Sequence, residues 1–332
     1  MQNFPFFMQN ILESLYQPVK KEMDSYIRVF ESYLTTDNPL LDQILTTMSK
    51  NQGKGMRPLL TILSSKLFGA VPEIAYHLAA AVELFHNATL IHDDIIDESD
   101  LRRGKPSIYS LFGSKVSVLA GDYVLTKALI STISTDRLDL MKEIFKTSSY
   151  LVDGELLQLY NIGIDDISVQ NYFDIIKKKT AVLFATCAKT GAMTNTDNKQ
   201  DIANMEMFGN IVGKCFQIKD DVFDYIGGDE IGKPRGNDML EGKLTLPVIH
   251  VLLENNDHDM ITLANKVKEG RASDEEIATL IQYTVDSGGI DYAFHVMDQY
   301  ALQARDILAQ YPDTEVKESL NAYIDYVVFR NK

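Results

Sequence analysis

The sequence predicts an all-α protein that folds as one large helical bundle, and three observations support this prediction. Apolar residues recur three and four positions apart along most of the 332 residues, which is the spacing of one helix face. The alternating pattern of β-strands is absent, and glycine and proline are sparse outside one segment, 225–247. No linker or change of composition divides the chain, so we expect a single domain over 1–332.

The individual helices are predicted in chain order from apolar spacing and from start signals. The segment 19–34 keeps apolar residues at helical spacing, and 38–49 starts with the capping residue Asn38 followed by Pro39. The same periodicity predicts the helices that follow, at 59–68, 72–97, 115–132, 137–160, 169–190 and 200–225. Five glycines between residues 225 and 247 then predict a mobile loop, after which helical patterns resume.

The composition limits the classes of function. A formal net charge of −15 argues against general binding of nucleic acid, which requires a basic face. The two cysteines lie in apolar helical patterns and imply no disulfide framework. The first residues lack the features of a signal peptide, and no apolar run approaches the ~20 residues of a transmembrane helix. We therefore expect a cytoplasmic protein without a transmembrane segment, whose contact with membranes is at most peripheral.

An acidic motif follows a long apolar helical pattern at 75–91. Asp93 and Asp97 are four residues apart and share a helix face, with Asp94 one position round. Three carboxylates in five residues repel one another unless a cation lies between them, and Mg²⁺ binds such oxygens together with water and substrate phosphate. A solvated helix end is the alternative explanation of this motif taken alone.

A second copy of the motif strengthens the metal interpretation. The same spacing recurs in Asp220, Asp221 and Asp224, again after an apolar helical pattern. Two such motifs on two helices could face each other across a pocket that holds metal ions.

Basic residues accompany the two motifs. Lys54 and Arg57 lie at a predicted helix start, where backbone N–H groups already favour an anion. Arg102 and Arg103 follow the first motif, and their guanidinium groups could bind a phosphate with two hydrogen bonds each. His86 lies two helical turns before the first aspartate, on the same face. Solvated surface charge and a buried core histidine are the ordinary alternatives for these residues.

Further candidates lie near the second motif and the glycine-rich segment. Lys179 and Thr180 open an apolar stretch and are expected to point inward, and Gln217 shares a face with the second motif. Lys233 and Lys243 lie in or beside the glycine-rich segment, where a mobile cation could close over a bound phosphate. The sequence contains no nucleophile–base pair, Walker loop or zinc motif, so it predicts phosphate recognition through metal ions and cations.

Together these motifs resemble those of the trans-isoprenyl diphosphate synthases, also called polyprenyl synthetases. The resemblance runs in order from about residue 50 to residue 250, through the segments 53–58, 93–104, 119–123, 154–155, 179–180, 220–224 and 242–247. It implies an all-α fold around a deep central cavity and a homodimer as the assembly.

The resemblance also implies a role for each candidate residue. About three Mg²⁺ ions per active site would be bound by aspartates of both motifs: Asp93, Asp97, Asp220 and Asp224. The catalytic residues would be Asp93, Asp94, Asp97, Lys179, Asp220 and Asp221. The allylic diphosphate would be bound by Arg102, Lys179, Thr180, Gln217, Lys233 and Lys243. The isopentenyl diphosphate would be bound by Lys54, Arg57, His86 and Arg103.

The reaction that the resemblance implies is a 1'-4 condensation. Metal ions and cations stabilise the departing diphosphate of the allylic substrate. The double bond of isopentenyl diphosphate attacks the resulting carbocation, and loss of a proton leaves a trans double bond.

The length of the product is predicted from the helix that precedes the first motif. In this family a bulky residue four or five positions before the first aspartate limits elongation, and here Thr89 and Ala88 are both small. Ala88 lies ~7.5 Å below Asp93, and Phe85, at ~12 Å, is large enough to form a lower floor. We therefore expect a product of about C30 to C40, of the kind used for quinone side chains.

Three alternatives remain open at this point. The product could be shorter, of the farnesyl or geranylgeranyl type. A class I terpene cyclase or squalene-synthase-like enzyme would not need a second diphosphate pocket, so Lys54, Arg57 and His86 argue against it. A non-catalytic regulatory subunit of a heteromeric synthase would be expected to lose the second motif, which is intact here.

Overall fold

The structure is a computed structural model that describes residues 11–51, 53–162, 167–227 and 235–330. Its helices are α1 (11–16), α2 (Lys20–Tyr33), α3 (Pro39–Lys50), α4 (Met56–Lys66), α5 (Glu73–Ile96), α6 (Ile108–Phe112), α7 (Ser114–Ile133), α8 (Leu138–Ile162), α9 (Val169–Ile176), α10 (Val182–Met193), α11 (Lys199–Ile226), α12 (Asn237–Leu240), α13 (Leu246–Asn255), α14 (His258–Lys268), α15 (Asp274–Asp286), α16 (Gly289–Leu308) and α17 (Glu315–Phe329). A 3₁₀ turn (Gln17–Val19), a π-helical turn (Lys177–Ala181) and the short strands β1 (Leu101–Arg102) and β2 (Lys105–Pro106) complete the described elements. The all-α prediction is confirmed.

Three local features differ from the expected elements. The segment 169–190, expected as one helix, is divided into α9 and α10 by the π-helical turn. The segment 225–247 is not a loop throughout, because its described part contains α12. Between α5 and α6, β1 and β2 pair antiparallel, and two-residue strands are too short to produce an alternating pattern. The hairpin loop consists of Arg103 and Gly104, which have φ values of 55° and 72°, as a tight two-residue hairpin turn requires.

Two long helices fix the positions of the acidic motifs. α5 packs against α2, α4 and α7, and its apolar residues are buried around most of its circumference, as expected for a central helix. α11 packs against α10 and α16. Gly213 allows the close approach of α11 to the π-helical turn, since a Cβ at this position would lie 2.6 Å from the Cα of Ala181. Both helices carry an acidic motif at the C-terminal end, so their packing determines where the carboxylates lie.

The buried apolar residues form a larger and a smaller core. The larger core extends from Ile11 in α1 to Val328 in α17 and includes residues of most helices between them. The smaller core joins α12, α13, α14 and α15. The expected single domain over 1–332 stays a prediction.

One helix of the described residues, α7, is apolar and long enough to cross a membrane by length and composition. The expectation that no segment reaches that length was therefore wrong for α7. In the structure α7 packs along α5, and a helix inside a bundle can have the same composition. Its other side exposes large apolar side chains, including Leu119, which is 68% exposed.

Candidate active site

The first acidic motif lies at the C-terminal end of α5. The backbone carbonyls there carry partial negative charge, so three carboxylates at this end need cations nearby. Arg102 of β1 supplies one cation, and its Nε donates to Asp94 Oδ1 at 2.7 Å. Burial raises the pKa of Asp93 to about 6, while Lys179 and Arg102 act in the opposite direction. Asp97 is the most exposed of the three aspartates.

The second acidic motif lies at the C-terminal end of α11, where two carboxylates are held by several donors. Tyr172 Oη donates to Asp221 Oδ2 at 2.5 Å, and Gln217 Nε2 donates to Asp221 Oδ1 at 2.8 Å. Burial raises the pKa of Asp221 in spite of these two hydrogen bonds. Both oxygens of Asp224 accept backbone N–H groups at the start of α12, at 2.9 and 3.2 Å. A metal ion at Asp224 would share these oxygens with the backbone.

Asp220, the first aspartate of this motif, pairs with an arginine at the end of α17. Arg330 Nη2 donates to Asp220 Oδ1 at 2.7 Å. The side chain of Arg330 is 6% exposed and that of Asp220 is 34% exposed. The last helix of the described residues thus reaches the second motif.

The second motif borders a cavity, and a lysine of the cavity wall lies beside the first motif. A cavity of about 150 Å³ is lined by residues that include Lys179, Asp221 and Lys243. Lys243 Nζ lies 3.9 Å from Asp97 Oδ1, so this lysine connects the cavity wall to the first motif. Lys179 lowers the pKa of both Asp93 and Asp97 and is therefore close to them as well. The expected arrangement of two acidic motifs around one pocket stays a prediction.

The π-helical turn positions Lys179 and Thr180. Lys179 Nζ lies 2.8 Å from Glu155 Oε2, and Thr180 Oγ1 donates to Gln217 Oε1 at 2.6 Å. Gly154 allows α8 to approach this turn, since a Cβ there would lie 2.9 Å from the backbone nitrogen of Lys179. π-Helical turns are frequent at functional sites.

Arg57 and His86, predicted to bind a diphosphate, lie in contact with each other. Arg57 Nη1 and His86 Nε2 are 3.0 Å apart, and the guanidinium carbon of Arg57 lies 4.6 Å from the centre of the Phe184 ring. Burial and the neighbouring arginines hold the pKa of His86 well below its usual range. His86 is thus neutral at physiological pH, and it can accept from Arg57 while its other ring nitrogen acts as a donor.

The other two members of this basic group lie on neighbouring loops. Lys54 Nζ donates to Tyr326 Oη at 2.8 Å, and Arg103 Nη1 donates to the carbonyl oxygen of Asn51 at 2.7 Å. The charges of Arg57 and Arg103 both act on Glu83, a buried carboxylate on α5, and each lowers its pKa against the effect of burial.

The positions expected to limit chain length lie within α5. Phe85 and Ala88 are 4% and 1% exposed, and Thr89 is half-buried and donates to the carbonyl oxygen of His86. Of the predicted substrate-binding residues, Lys233 lies outside the described residues. The roles of these individual residues stay predictions.

Sequence reasoning missed the residues that hold the predicted ones, above all Tyr172, Tyr326 and Arg330. One signal was present in α17, where Tyr323, Tyr326 and Arg330 are three and four positions apart and so share a helix face. Polar groups on the face of a helix that is otherwise apolar indicate buried partners. Tyr172 gave no such signal, and its partner Asp221 lies on another helix.

Comparisons with known proteins agree with this site. The family model described as polyprenyl synthetase matches residues 38–284. A geranylgeranyl pyrophosphate synthase from Bacteroides thetaiotaomicron is 39% identical, with a TM-score of 0.85 over 97% of this chain and 100% of that chain. A polyprenyl synthase from Caulobacter crescentus, solved with calcium and isoprenyl diphosphate, is 29% identical, with a TM-score of 0.91 over 97% and 98% of the two chains.

A curated relative extends the similarity to a longer product. The octaprenyl diphosphate synthase of Haemophilus influenzae is 31% identical over 302 residues, which is 90% of this chain and 91% of the relative. The family match covers most of the chain, and the similar proteins are named as synthases of isoprenyl diphosphates. The chain therefore belongs to the polyprenyl synthetase family, the trans-isoprenyl diphosphate synthases, and is a prenyltransferase.

Proposed function

We propose that this isoprenyl diphosphate synthase catalyses the Mg²⁺-dependent, sequential 1'-4 condensation of isopentenyl diphosphate onto an allylic diphosphate. The observation that carries the proposal is the cavity lined by Asp221, Lys179 and Lys243, in which Lys243 Nζ lies 3.9 Å from Asp97 Oδ1 of the first motif. A second basic group includes Arg57, whose pKa is lowered by burial, while the carboxylates of Glu83 and Asp220 act in the opposite direction and are therefore near it. Two diphosphate sites are what a reaction between two diphosphates requires.

The residues present suit Mg²⁺, which takes oxygen ligands. We propose that about three ions are held between the diphosphate and the aspartates Asp93, Asp97, Asp220 and Asp224. Within the described residues, no three acidic, histidine or cysteine side chains gather closely enough to bind one ion by themselves. Such a site suits ions that complete their coordination with water and diphosphate oxygens. When bound, the ions supply positive charge against the developing negative charge of the leaving group.

The side chains of this protein perform the remaining tasks. Lys179, Thr180, Lys243 and Arg102 orient the allylic diphosphate and stabilise its charge as the C–O bond breaks. Lys54, Arg57, His86 and Arg103 hold isopentenyl diphosphate so that its double bond attacks the allylic carbon. The new C–C bond forms, and a proton is lost to restore a double bond. The reaction does not require a base on the protein, since the released diphosphate can accept the proton.

We further propose a product of about C30 to C40, suited to a quinone side chain, because Ala88 is small and Phe85 lies about 12 Å below Asp93. Relatives of similar identity are named for geranylgeranyl and for octaprenyl products, so the proposal depends on these positions in α5. Replacing Phe85 by alanine removes the floor, and we expect the distribution of products to shift by at least one five-carbon unit. Mass analysis of the products checks this, and an unchanged distribution would exclude Phe85 as the floor.

Purified protein tests the function directly. With isopentenyl diphosphate, Mg²⁺ and allylic primers of several lengths, we expect release of diphosphate and prenyl products longer than C20. Products that stop at C15 or C20 would contradict the chain-length proposal and favour a short-chain synthase. No turnover by the protein alone would favour the regulatory subunit of a heteromeric synthase.

We propose a cytoplasmic homodimer that contacts membranes peripherally when the product leaves. The exposed apolar residues of α7 and α8 support an interface on this side: Val118, Leu119, Val152, Leu156 and Tyr160. Exposed apolar side chains that together form a large patch mark a contact site in a protein. Light scattering should give twice the mass of the chain, and Leu119→Glu with Leu156→Glu should give a single-chain mass. Cell fractionation tests the proposed location.

A further inference from the structure

Arg330, at the end of α17, binds one turn of α11 at two points. Its Nη2 donates to Asp220 Oδ1 at 2.7 Å and to the carbonyl oxygen of Phe216 at 3.0 Å. In an α-helix this carbonyl also accepts the backbone N–H four residues later, which is that of Asp220. The guanidinium therefore fixes both the backbone and the side chain of the turn that begins the second acidic motif.

The guanidinium itself is held by aromatic rings. Its central carbon lies 3.9 Å from the centre of the Phe216 ring and 5.3 Å from that of Phe223. Its Nε is buried and has no hydrogen-bond partner in the described part of the chain. A buried donor without a partner lowers stability, so hydrogen bonding alone does not explain why an arginine occupies this position. The positive charge of Arg330 opposite the carboxylate of Asp220 explains it.

Asp220 retains the capacity to bind a further group. It is one-third exposed, and only its Oδ1 accepts a hydrogen bond from the described residues. The same Phe216 ring that lies against Arg330 has Arg57 on it as well, at 5.7 Å from the guanidinium carbon to the ring centre. One aromatic ring thus contacts Arg330, which pairs with the second acidic motif, and Arg57, which is proposed to bind isopentenyl diphosphate.

We propose that Arg330 is a positioning residue, which holds the Asp220 carboxylate so that Oδ2 stays available to a metal ion bound together with diphosphate. Phe216 is the platform that keeps this arginine in place and connects it to Arg57. The proposal rests on the proposed function, since it takes Asp220 as a metal ligand. Arg330 acts through Asp220 and does not bind a substrate itself.

Three variants test the assignment: Arg330→Gln, Arg330→Lys and, as a matched control, Arg305→Gln. Arg305 also bridges to α17, through Asp325 and Asn321, and has no contact with the acidic motifs among the described residues. A binding quantity and two kinetic quantities are measured for each protein. The binding quantity is the shift in melting temperature caused by Mg²⁺ with inorganic diphosphate. The kinetic quantities are the Mg²⁺ concentration for half-maximal turnover and the KM for isopentenyl diphosphate.

We expect Arg330→Gln to raise the half-maximal Mg²⁺ concentration about 10- to 100-fold, the usual effect of losing a group that orients a metal ligand. The melting shift should shrink in parallel, whereas KM for isopentenyl diphosphate should stay within about twofold of wild type. Arg330→Lys keeps the charge but not the planar group that stacks on Phe216, so its effect should be smaller. Arg305→Gln should leave the Mg²⁺ dependence unchanged.

A raised KM for isopentenyl diphosphate with an unchanged Mg²⁺ dependence would overturn the proposal, because it would show that Arg330 binds substrate. An effect of Arg305→Gln as large as that of Arg330→Gln would also overturn it, since loosening α17 would then suffice. If Arg330→Gln does not fold, the proposal is tested with Arg330→Lys instead. A shift in the melting temperature of Arg330→Lys equal to that of the wild-type protein would then reject the proposal. Absence of turnover in the wild-type protein would reject the proposed function, while the melting shifts would still test Arg330.

Discussion

The two acidic motifs have the same spacing and lie at the same end of a helix, yet their surroundings differ. In the first motif, Arg102 on a two-residue hairpin holds Asp94, and Asp97 is exposed near Lys243. In the second motif all three carboxylates accept hydrogen bonds from groups on other elements. Two copies of one sequence motif can therefore differ in how firmly their carboxylates are held. We call the second motif the fixed half of the site, because hydrogen bonds hold all three of its carboxylates. We call the first motif the open half, because Asp97 is exposed.

The largest expected effect comes from removing a carboxylate charge from either motif. Asp93→Asn and Asp220→Asn should each lower kcat by at least about 10²- to 10³-fold, because each removes charge that stabilises the leaving group through bound metal. Diphosphate release at saturating substrate measures kcat, and circular dichroism verifies folding. Asp313→Asn is the matched control, since Asp313 is exposed and pairs only with Lys317 among the described residues. If one of the two variants kept near-normal activity, the aspartate replaced in it would not be needed for binding the catalytic metal ions.

A smaller effect is expected from loosening the fixed half. Tyr172→Phe removes the hydroxyl that donates to the buried Asp221, and a hydrogen bond to a charged group contributes about 1.5–3 kcal/mol to the free energy of unfolding. We expect chemical denaturation to show a loss in this range and kcat to fall about tenfold, as for other groups that orient a functional carboxylate. Tyr150→Phe, at an exposed position on α8, should change neither quantity. If Tyr172→Phe left both quantities unchanged, the second motif would be no more fixed than the first.

The smallest expected effect is a pH dependence that reports on the open half. Burial raises the pKa of Asp93 from 3.8 to about 6, so the folded protein retains a proton that the unfolded chain has released. The stability of the metal-free protein should therefore fall as the pH rises from about 4 to about 6. Mg²⁺ binds the ionised carboxylate, so the rise in melting temperature caused by Mg²⁺ with diphosphate should grow through the same range. Asp93→Asn should remove this growth, and a variant with the wild-type profile would assign the titration to another group.

Much of the fold and the identity of the acidic motifs could be predicted from the sequence, because both depend on local spacing. The long apolar periodicity before Asp93 and Asp220 predicted α5 and α11, and the i, i+4 rule placed two aspartates of each motif on one face. The hairpin and the π-helical turn could not be predicted. Each strand of the hairpin has two residues and the turn has five, which is too few to produce a recognisable periodic pattern. Tyr172 and Arg330 could not be paired with Asp221 and Asp220, because these contacts depend on how distant helices pack.

The π-helical turn also changes the angle around the helix axis between the side chains that precede it and those that it contains. In an uninterrupted α-helix, Thr180 would be rotated about 80° around the axis from Tyr172, whereas a turn that absorbs one additional residue reduces this rotation to about 20°. The two side chains can then converge on one carboxylate, Tyr172 directly and Thr180 through Gln217. The irregular turn thus places Tyr172 and Thr180 on the same side of the helix, facing Gln217 of α11. A regular helix of the same length would place them on different sides.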